Sequence, residues 1–244
     1  MKYSIGLVAA GLLGISGAAY ADVSSTVTAV SDYDFRGVSL SAKDPALQAS
    51  LDFAAESGFY AGLWASNIDY GSAFDGNIEL DLYAGMAGEW SGGVGWDVGI
   101  IWYAYPDSSN SATKFKIEAY PEIWGAISYG PVKFKQWFTN DYAGTSLDES
   151  YSELSATFEL PAEFSLSLHG GYNYGQVFDG FEYFDYSIAV SRAVGNFTLG
   201  LKFTGTDLSE SDLDFPPGVD FPDEFNPEPR ILFSVATTFP WSSE

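Results

Sequence analysis

From Val23 onward the chain alternates. Val23, Ser25, Val27, Ala29, Ser31, Tyr33 and Phe35 fall on one side of an extended backbone, with Ser24, Thr26, Thr28, Asp32, Asp34 and Arg36 on the other. A period of two is that of a β-strand with two chemically different faces. The same pattern recurs over 45–56, where Leu47, Ala49, Leu51 and Phe53 oppose Gln48, Ser50 and Asp52. It recurs again over 77–89, where Ile78, Leu80, Leu82 and Ala84 oppose Glu79 and Asp81. Segments 93–104, 114–127, 132–139, 150–160, 164–174, 183–192, 197–205 and 230–241 read alike, and aromatic-rich 58–67 completes the set. The pattern predicts twelve antiparallel strands running to Trp241.

The connections alternate too. Ser57-Gly58, Gly92-Gly93, Tyr129-Gly130-Pro131, Pro161-Ala162-Glu163 and Ala193-Val194-Gly195-Asn196 are tight and carry turn chemistry. The intervening connections, 40–44, 68–76, 105–113, 140–149, 173–182 and 206–229, are longer and more polar. Short turns on one side and long loops on the other, with an even strand count, describe an outer-membrane barrel with both termini periplasmic and the long loops extracellular.

A soluble β-sandwich also alternates, but its water-facing side is normally rich in Lys and Glu. Here the polar face is Ser, Thr, Gly and Tyr, and charged residues make up only 18% of the chain. Aromatics reach 17% and gather near predicted strand ends, as at Phe59, Tyr60, Trp64, Trp90, Trp102, Tyr103, Tyr105, Trp124, Trp137, Tyr172, Tyr183 and Trp241. Interfacial girdles require that placement, so the reading is an all-β, antiparallel transmembrane β-barrel of about twelve strands. The net charge of -23 would repel a polyphosphate, so no nucleic-acid partner is expected. With no cysteine and one histidine, cofactor or metal chemistry through thiolates or several imidazoles is excluded, and no cofactor or metal is predicted.

Residues 1–21 read as a leader. Lys2 supplies the positive start, Ile5 to Ile15 the apolar stretch, and Ala19-Tyr20-Ala21 the small residues of a cleavage site. The apolar stretch is shorter than the roughly 20 residues a membrane-spanning helix needs. The expected organisation is therefore a signal peptide over 1–21 and one barrel domain over 22–244, delivered to the bacterial outer membrane.

Ser31-Asp32-Tyr33-Asp34-Phe35-Arg36-Gly37-Val38-Ser39, then Pro45-Ala46-Leu47-Gln48, then Ser57-Gly58-Phe59-Tyr60-Ala61-Gly62-Leu63-Trp64-Ala65-Ser66-Asn67, resembles the N-terminal signature of the TorF family of porins, also catalogued as a Gcw-type conserved bacterial protein. The similarity is sharpest over about residues 23–90 and continues as general layout beyond. It implies an outer-membrane barrel with a pore function and no particular substrate. The chain departs from the usual terminal aromatic of such barrels by continuing past Trp241 with Ser242-Ser243-Glu244.

Charges on the polar faces are the candidates for lining a pore: Asp32, Asp34, Arg36, Glu79, Asp81, Lys116, Glu118, Lys133, Lys135, Lys202 and Arg230. They either border a narrow water path or fill it with ion pairs. Arg36, two residues from Asp34, reads first as a paired wall residue and second as a selectivity charge. Lys116, Lys133 and Lys135 read as a cationic ladder on adjacent strands, facing carboxylates such as Glu79 and Asp81 across a transverse field; local neutralisation of each lysine is the competing reading.

His169 is the only general base near neutral pH and alternates with Ser165 and Ser167. Hydroxyls on the same strand run parallel to the ring, so a Ser-His hydrolase is disfavoured and a hydrogen-bonded wall histidine is expected. The segment 206–229 carries Asp207, Glu210, Asp212, Asp214, Asp220, Asp223, Glu224 and Glu228 with no base, among prolines that preclude a long strand. It reads as an acidic extracellular loop over the mouth, with weak divalent-cation binding shared with lipopolysaccharide. Together these features predict a non-enzymatic channel for passive diffusion of small solutes, with a modest preference for cations, set among outer-membrane lipids. The rival is a non-conducting surface barrel, a receptor, adhesin or structural protein, plugged by its own charges.

Overall fold

The computed structural model describes residues 22–70, 74–109, 115–208 and 228–241. Twelve strands close into one antiparallel barrel. They are β1 (Asp22–Val30), β2 (Ala46–Ala54), β3 (Phe59–Asn67), β4 (Ile78–Trp90), β5 (Val94–Ala104), β6 (Tyr120–Tyr129), β7 (Val132–Thr139), β8 (Glu149–Leu160), β9 (Phe164–Tyr174), β10 (Tyr183–Val194), β11 (Phe197–Thr206) and β12 (Arg230–Phe239). Each pairs with its sequence neighbours. Closure comes from β1 against β12, in register from Ser25 opposite Phe239 to Val30 opposite Ser234. Closure removes both sheet edges, so every strand is paired on both sides.

The barrel is inverted in polarity relative to a water-soluble domain. Leu47, Leu51, Leu63, Leu82, Ile100, Ile123, Leu154, Ile188, Leu201 and Phe233 lie exposed on the outside. Gln48, Asp52, Glu79, Asp81, Glu122, Lys135, Glu149, Asn173, Asp185 and Thr204 are buried inside. The period of two in the sequence is the origin of this division, since alternate side chains point to opposite faces of the wall.

Tight turns join β2–β3, β4–β5, β6–β7, β8–β9 and β10–β11 at one end, where β1 begins and β12 finishes. The long connections gather at the other. Inward-facing residues of these connections and of the adjoining strand ends build an apolar layer there: Tyr33, Leu40, Ile68, Tyr70, Tyr103, Tyr105, Ile117 and Tyr120 are all buried. Tyr103 stacks on Tyr120 at 4.9 Å, Tyr120 meets Tyr142 at 5.1 Å, and Phe35 meets Tyr103 edge-on at 6.2 Å. Such offset and edge contacts are the favoured aromatic geometries. Aromatics grouped by sequence as girdles therefore divide: Phe59, Trp90, Trp102, Tyr172 and Trp241 face outward, whereas Tyr60, Tyr103, Tyr105, Trp124 and Tyr183 are buried. Nearness to a strand end does not distinguish the faces.

Two segments depart from the predicted strands. β1 stops at Val30, and residues 31–41 turn into the barrel, where Asp34–Phe35 pairs with Val38–Ser39 as a miniature hairpin. The alternation of 31–36 is real but belongs to this hairpin. The described part of the predicted strand 114–127 likewise starts outside the wall: Phe115–Lys116 pairs in parallel with Phe74–Asp75 among the long connections, and β6 begins only at Tyr120.

Candidate functional site

The hairpin of residues 31–41 is the centre of the lumen's chemistry. Its turn residues Arg36 and Gly37 have φ of 49° and 83°. Left-handed values at both central positions are those of a tight two-residue hairpin turn, which glycine accommodates without strain. Gly37 also passes so near Thr206 and Asp185 that a side chain would collide with both. The turn thus presses backbone against the β10–β11 wall and projects Arg36 across the lumen.

Arg36 reaches two strands at once. Its Nη2 donates to Glu122 Oε2 at 2.7 Å and its Nη1 to Glu149 Oε1 at 2.6 Å, and both carboxylates have no exposed side-chain surface. Its guanidinium also lies over the rings of Tyr151 and Phe35, at 4.4 Å and 4.7 Å. A planar, delocalised cation suits this combination of forked ion pairing and ring stacking. At the base of the hairpin, Arg230 clamps three points: Nε donates to Asp32 at 2.8 Å, Nη2 to Asp34 at 2.7 Å, and Nη1 to the Gly37 carbonyl at 3.1 Å. Lys202 donates to Asp34 at 2.7 Å, and the Ser39 hydroxyl to Asp32 at 2.5 Å.

On the short-turn side of the hairpin lies a cavity of about 390 Å³. Asp32, Asp34, Arg36, Asp81, Lys133 and Lys202 border it, with Asp52, Glu153, His169 and Asp185. Trp64, Trp137, Tyr83 and Tyr151 supply aromatic wall, and Ser155, Thr157, Ser167 and Ser187 supply hydroxyls. The Asp52 carboxylate accepts from the hydroxyls of Tyr83 and, at 2.7 Å, Ser50. Tyr151 packs over Gly171, and its hydroxyl lies 2.9 Å from both His169 Nε2 and Asp185 Oδ2. His169 Nε2 is also 2.9 Å from Asp185 Oδ1. Ser167 bonds with Thr157 instead of the imidazole.

The remaining candidates sit elsewhere. Glu79 is 1% exposed on β4 and accepts from the Tyr105 hydroxyl at 3.1 Å. Lys135 is buried on β7 with its ammonium 3.6 Å from the Trp137 ring centre. Lys133 shares its face, so the two lysines do stand together, but Lys116 does not join them. Lys116 and Glu118 lie in the long connection before β6, ion-paired at 2.9 Å and 38% and 52% exposed. Ile117 between them packs into the apolar layer, which turns both charges outward. The period of two persists in this loop, and that is why it reads as strand.

Of the acidic segment, Asp207 accepts from the Phe184 amide at 2.7 Å and Glu228 precedes β12. Glu210, Asp212, Asp214, Asp220, Asp223 and Glu224 lie outside the described residues, as does the predicted leader. Sequence reasoning misses Glu149, because it falls where a loop, 140–149, is expected. The alternation Glu149, Tyr151, Glu153 is the signal that extends β8 back to it.

Comparison with solved structures places this architecture among porins. The NanC porin aligns with a TM-score of 0.53 at 8% identity, covering 88% of this chain and 98% of that one. The KdgM porin in complex with disordered oligogalacturonate gives 0.51 at 7%, covering 91% and 99%. The COG4313 outer membrane channel from Pseudomonas putida F1 gives 0.50 at 10%, covering 91% and 96%. At these identities the likeness is one of fold. Among curated proteins no relative is found. A family model described as a bacterial protein of unknown function, Gcw_chp, matches residues 15–239, and the chain therefore belongs to the Gcw_chp family.

Proposed function

We propose that the protein is an outer-membrane channel for passive diffusion of small solutes, narrowed at its long-loop end by the inward hairpin. The observation that carries this reading is the inversion of polarity: an apolar exterior encloses a charged lumen with a cavity of about 390 Å³. A bilayer stabilises the first and water the second. In this reading the leader directs export, the short turns and both termini face the periplasm, and the long loops face outward among lipopolysaccharide.

A preference for cations follows from the lumen itself. Asp32, Asp34, Asp52, Glu79, Asp81, Asp97, Glu122, Glu149, Glu153 and Asp185 face Arg36, Lys133, Lys135, Lys202 and Arg230. Acids outnumber bases two to one, so the interior potential favours positive solutes. The acidic segment 206–229 adds to it at the mouth, where weak divalent-cation binding is also expected.

The apolar layer of Tyr33, Leu40, Tyr103 and Tyr120 favours a second reading, a barrel sealed at rest. Planar-bilayer recordings separate the two. The purified protein should show discrete conductance steps, and replacing 32–39 with a short Gly-Ser turn should enlarge them several-fold. Silence from both proteins would leave the sealed surface barrel as the function.

A further inference from the structure

The bases of the barrel wall are confined to one part of it. β1 to β6, half of the ring, contain carboxylates on every strand but β3 and not one lysine or arginine; every basic residue of the barrel strands stands on β7 to β12, among further carboxylates such as Glu149, Glu153 and Asp185. The division reaches the cavity. On the acidic side it is bordered by Asp52 and Asp81. Among the described residues Asp52 has only hydroxyl partners, and Asp81 Oδ1 has no hydrogen-bond partner although the residue is 5% exposed. Neither carboxylate forms an ion pair among the described residues. On the basic side the cavity is bordered by Lys133, which likewise makes no ion pair among them. β2 and β7 are five strand steps apart in a ring of twelve, so Asp52 and Lys133 face each other nearly across the lumen.

Hydroxyl donors orient a carboxylate without neutralising it, and burial makes an uncompensated charge costly. Unpaired charges of opposite sign on one cavity, Asp52 and Asp81 buried and Lys133 half-buried, suit a ligand that carries both. We propose that the cavity binds small zwitterions, with the ammonium group toward Asp52 and Asp81 and the anionic group toward Lys133. Trp64 and Trp137 also line the cavity. One molecule bearing both charges engages the second pole at high effective concentration once the first is bound, which two separate salt ions do not. The inference deepens the channel reading by naming the solute class of the same lumen.

Calorimetric titration of the full protein in detergent at low salt tests it with three probes: alanine, ethylamine and N-acetylalanine. Alanine should bind at least about tenfold more tightly than either single-charge probe. Asp52→Asn should weaken alanine and ethylamine but spare N-acetylalanine, and Lys133→Gln should weaken alanine and N-acetylalanine but spare ethylamine. Heat-modifiable gel mobility verifies folding of each variant, and the wild-type series stands without them. Equal affinities, a preference for ethylamine, or no binding of alanine overturns the proposal. Because no current is read, alanine binding in a protein that never conducts would overturn the channel reading alone. Conductance without alanine preference would overturn the zwitterion site alone.

Discussion

A single guanidinium ties three parts of the chain together. Arg36 pairs with Glu122, 86 residues away, and Glu149, 113 residues away, and both carboxylates are fully buried. Removing one partner of a buried pair leaves uncompensated charge, at a cost of roughly 3–5 kcal/mol. Arg36→Ala should therefore lower the unfolding free energy in detergent by about that amount. Arg36→Lys should recover only part of it, because an ammonium cannot reproduce the fork that spans two carboxylates. Urea titration followed by tryptophan fluorescence measures both, and an unchanged midpoint for Arg36→Ala would show that the hairpin is held by packing alone. In the sequence Arg36 is recognisable as a lumen charge beside Asp34, but its partners are not. Only barrel closure and the inward turn of 31–41 bring strands β6 and β8 to it, and neither is a local property.

At the level of elements, the twelve strands and the alternation of short and long connections are legible because a half-buried wall imposes a period of two on the sequence. The same period hides the hairpin at 34–39 and the loop pair at 115–116, since each alternates as a wall strand does and neither contains a proline. The distinguishing signal is Arg36-Gly37, a glycine at the second centre of a tight turn, which marks a reversal inside an otherwise continuous run. Long connections are fastened to one another as well as to the wall. Asp107 accepts from the Asn77 side chain at 3.0 Å, the Asn77 amide at 2.9 Å and the Ile78 amide at 3.3 Å. Its slight burial acts to raise its pKa, but these donors outweigh that and hold the carboxyl below the usual carboxylate range. A depressed pKa stabilises the contact fully above the ordinary aspartate value, and the contribution is lost as pH falls through the lower folded value. Hydrogen exchange at Asn77 and Ile78, corrected for intrinsic rates, should thus stay protected near neutrality and rise below about pH 4. Asp107→Asn should show the raised exchange at every pH. Equal protection in the variant would place the anchoring elsewhere.

For the whole molecule, the proposed channel has two expected sources of negative potential at different depths, and salt separates them. The acidic segment 206–229 has eight carboxylates and no base. Expected at the open mouth, it is screened over a Debye length of about 8 Å in physiological salt and about 3 Å at 1 M. The excess of carboxylates inside the barrel is enclosed by a low-dielectric wall, where mobile ions enter only in small number and screening is weaker. Deleting 209–227 should therefore reduce the cation preference, read as the reversal potential under a KCl gradient, at low salt and have little effect near 1 M. Neutralising a lumen carboxylate that border groups leave unpaired, as in Asp52→Asn, should reduce it at both concentrations. If the loop deletion changes the reversal potential equally at low and high salt, the segment folds into the lumen instead of standing over it. If neither change moves the potential while the pore still conducts, ions pass by a route that does not see these charges. In that case the confinement of the bases to one part of the wall serves the barrel's stability and not its selectivity.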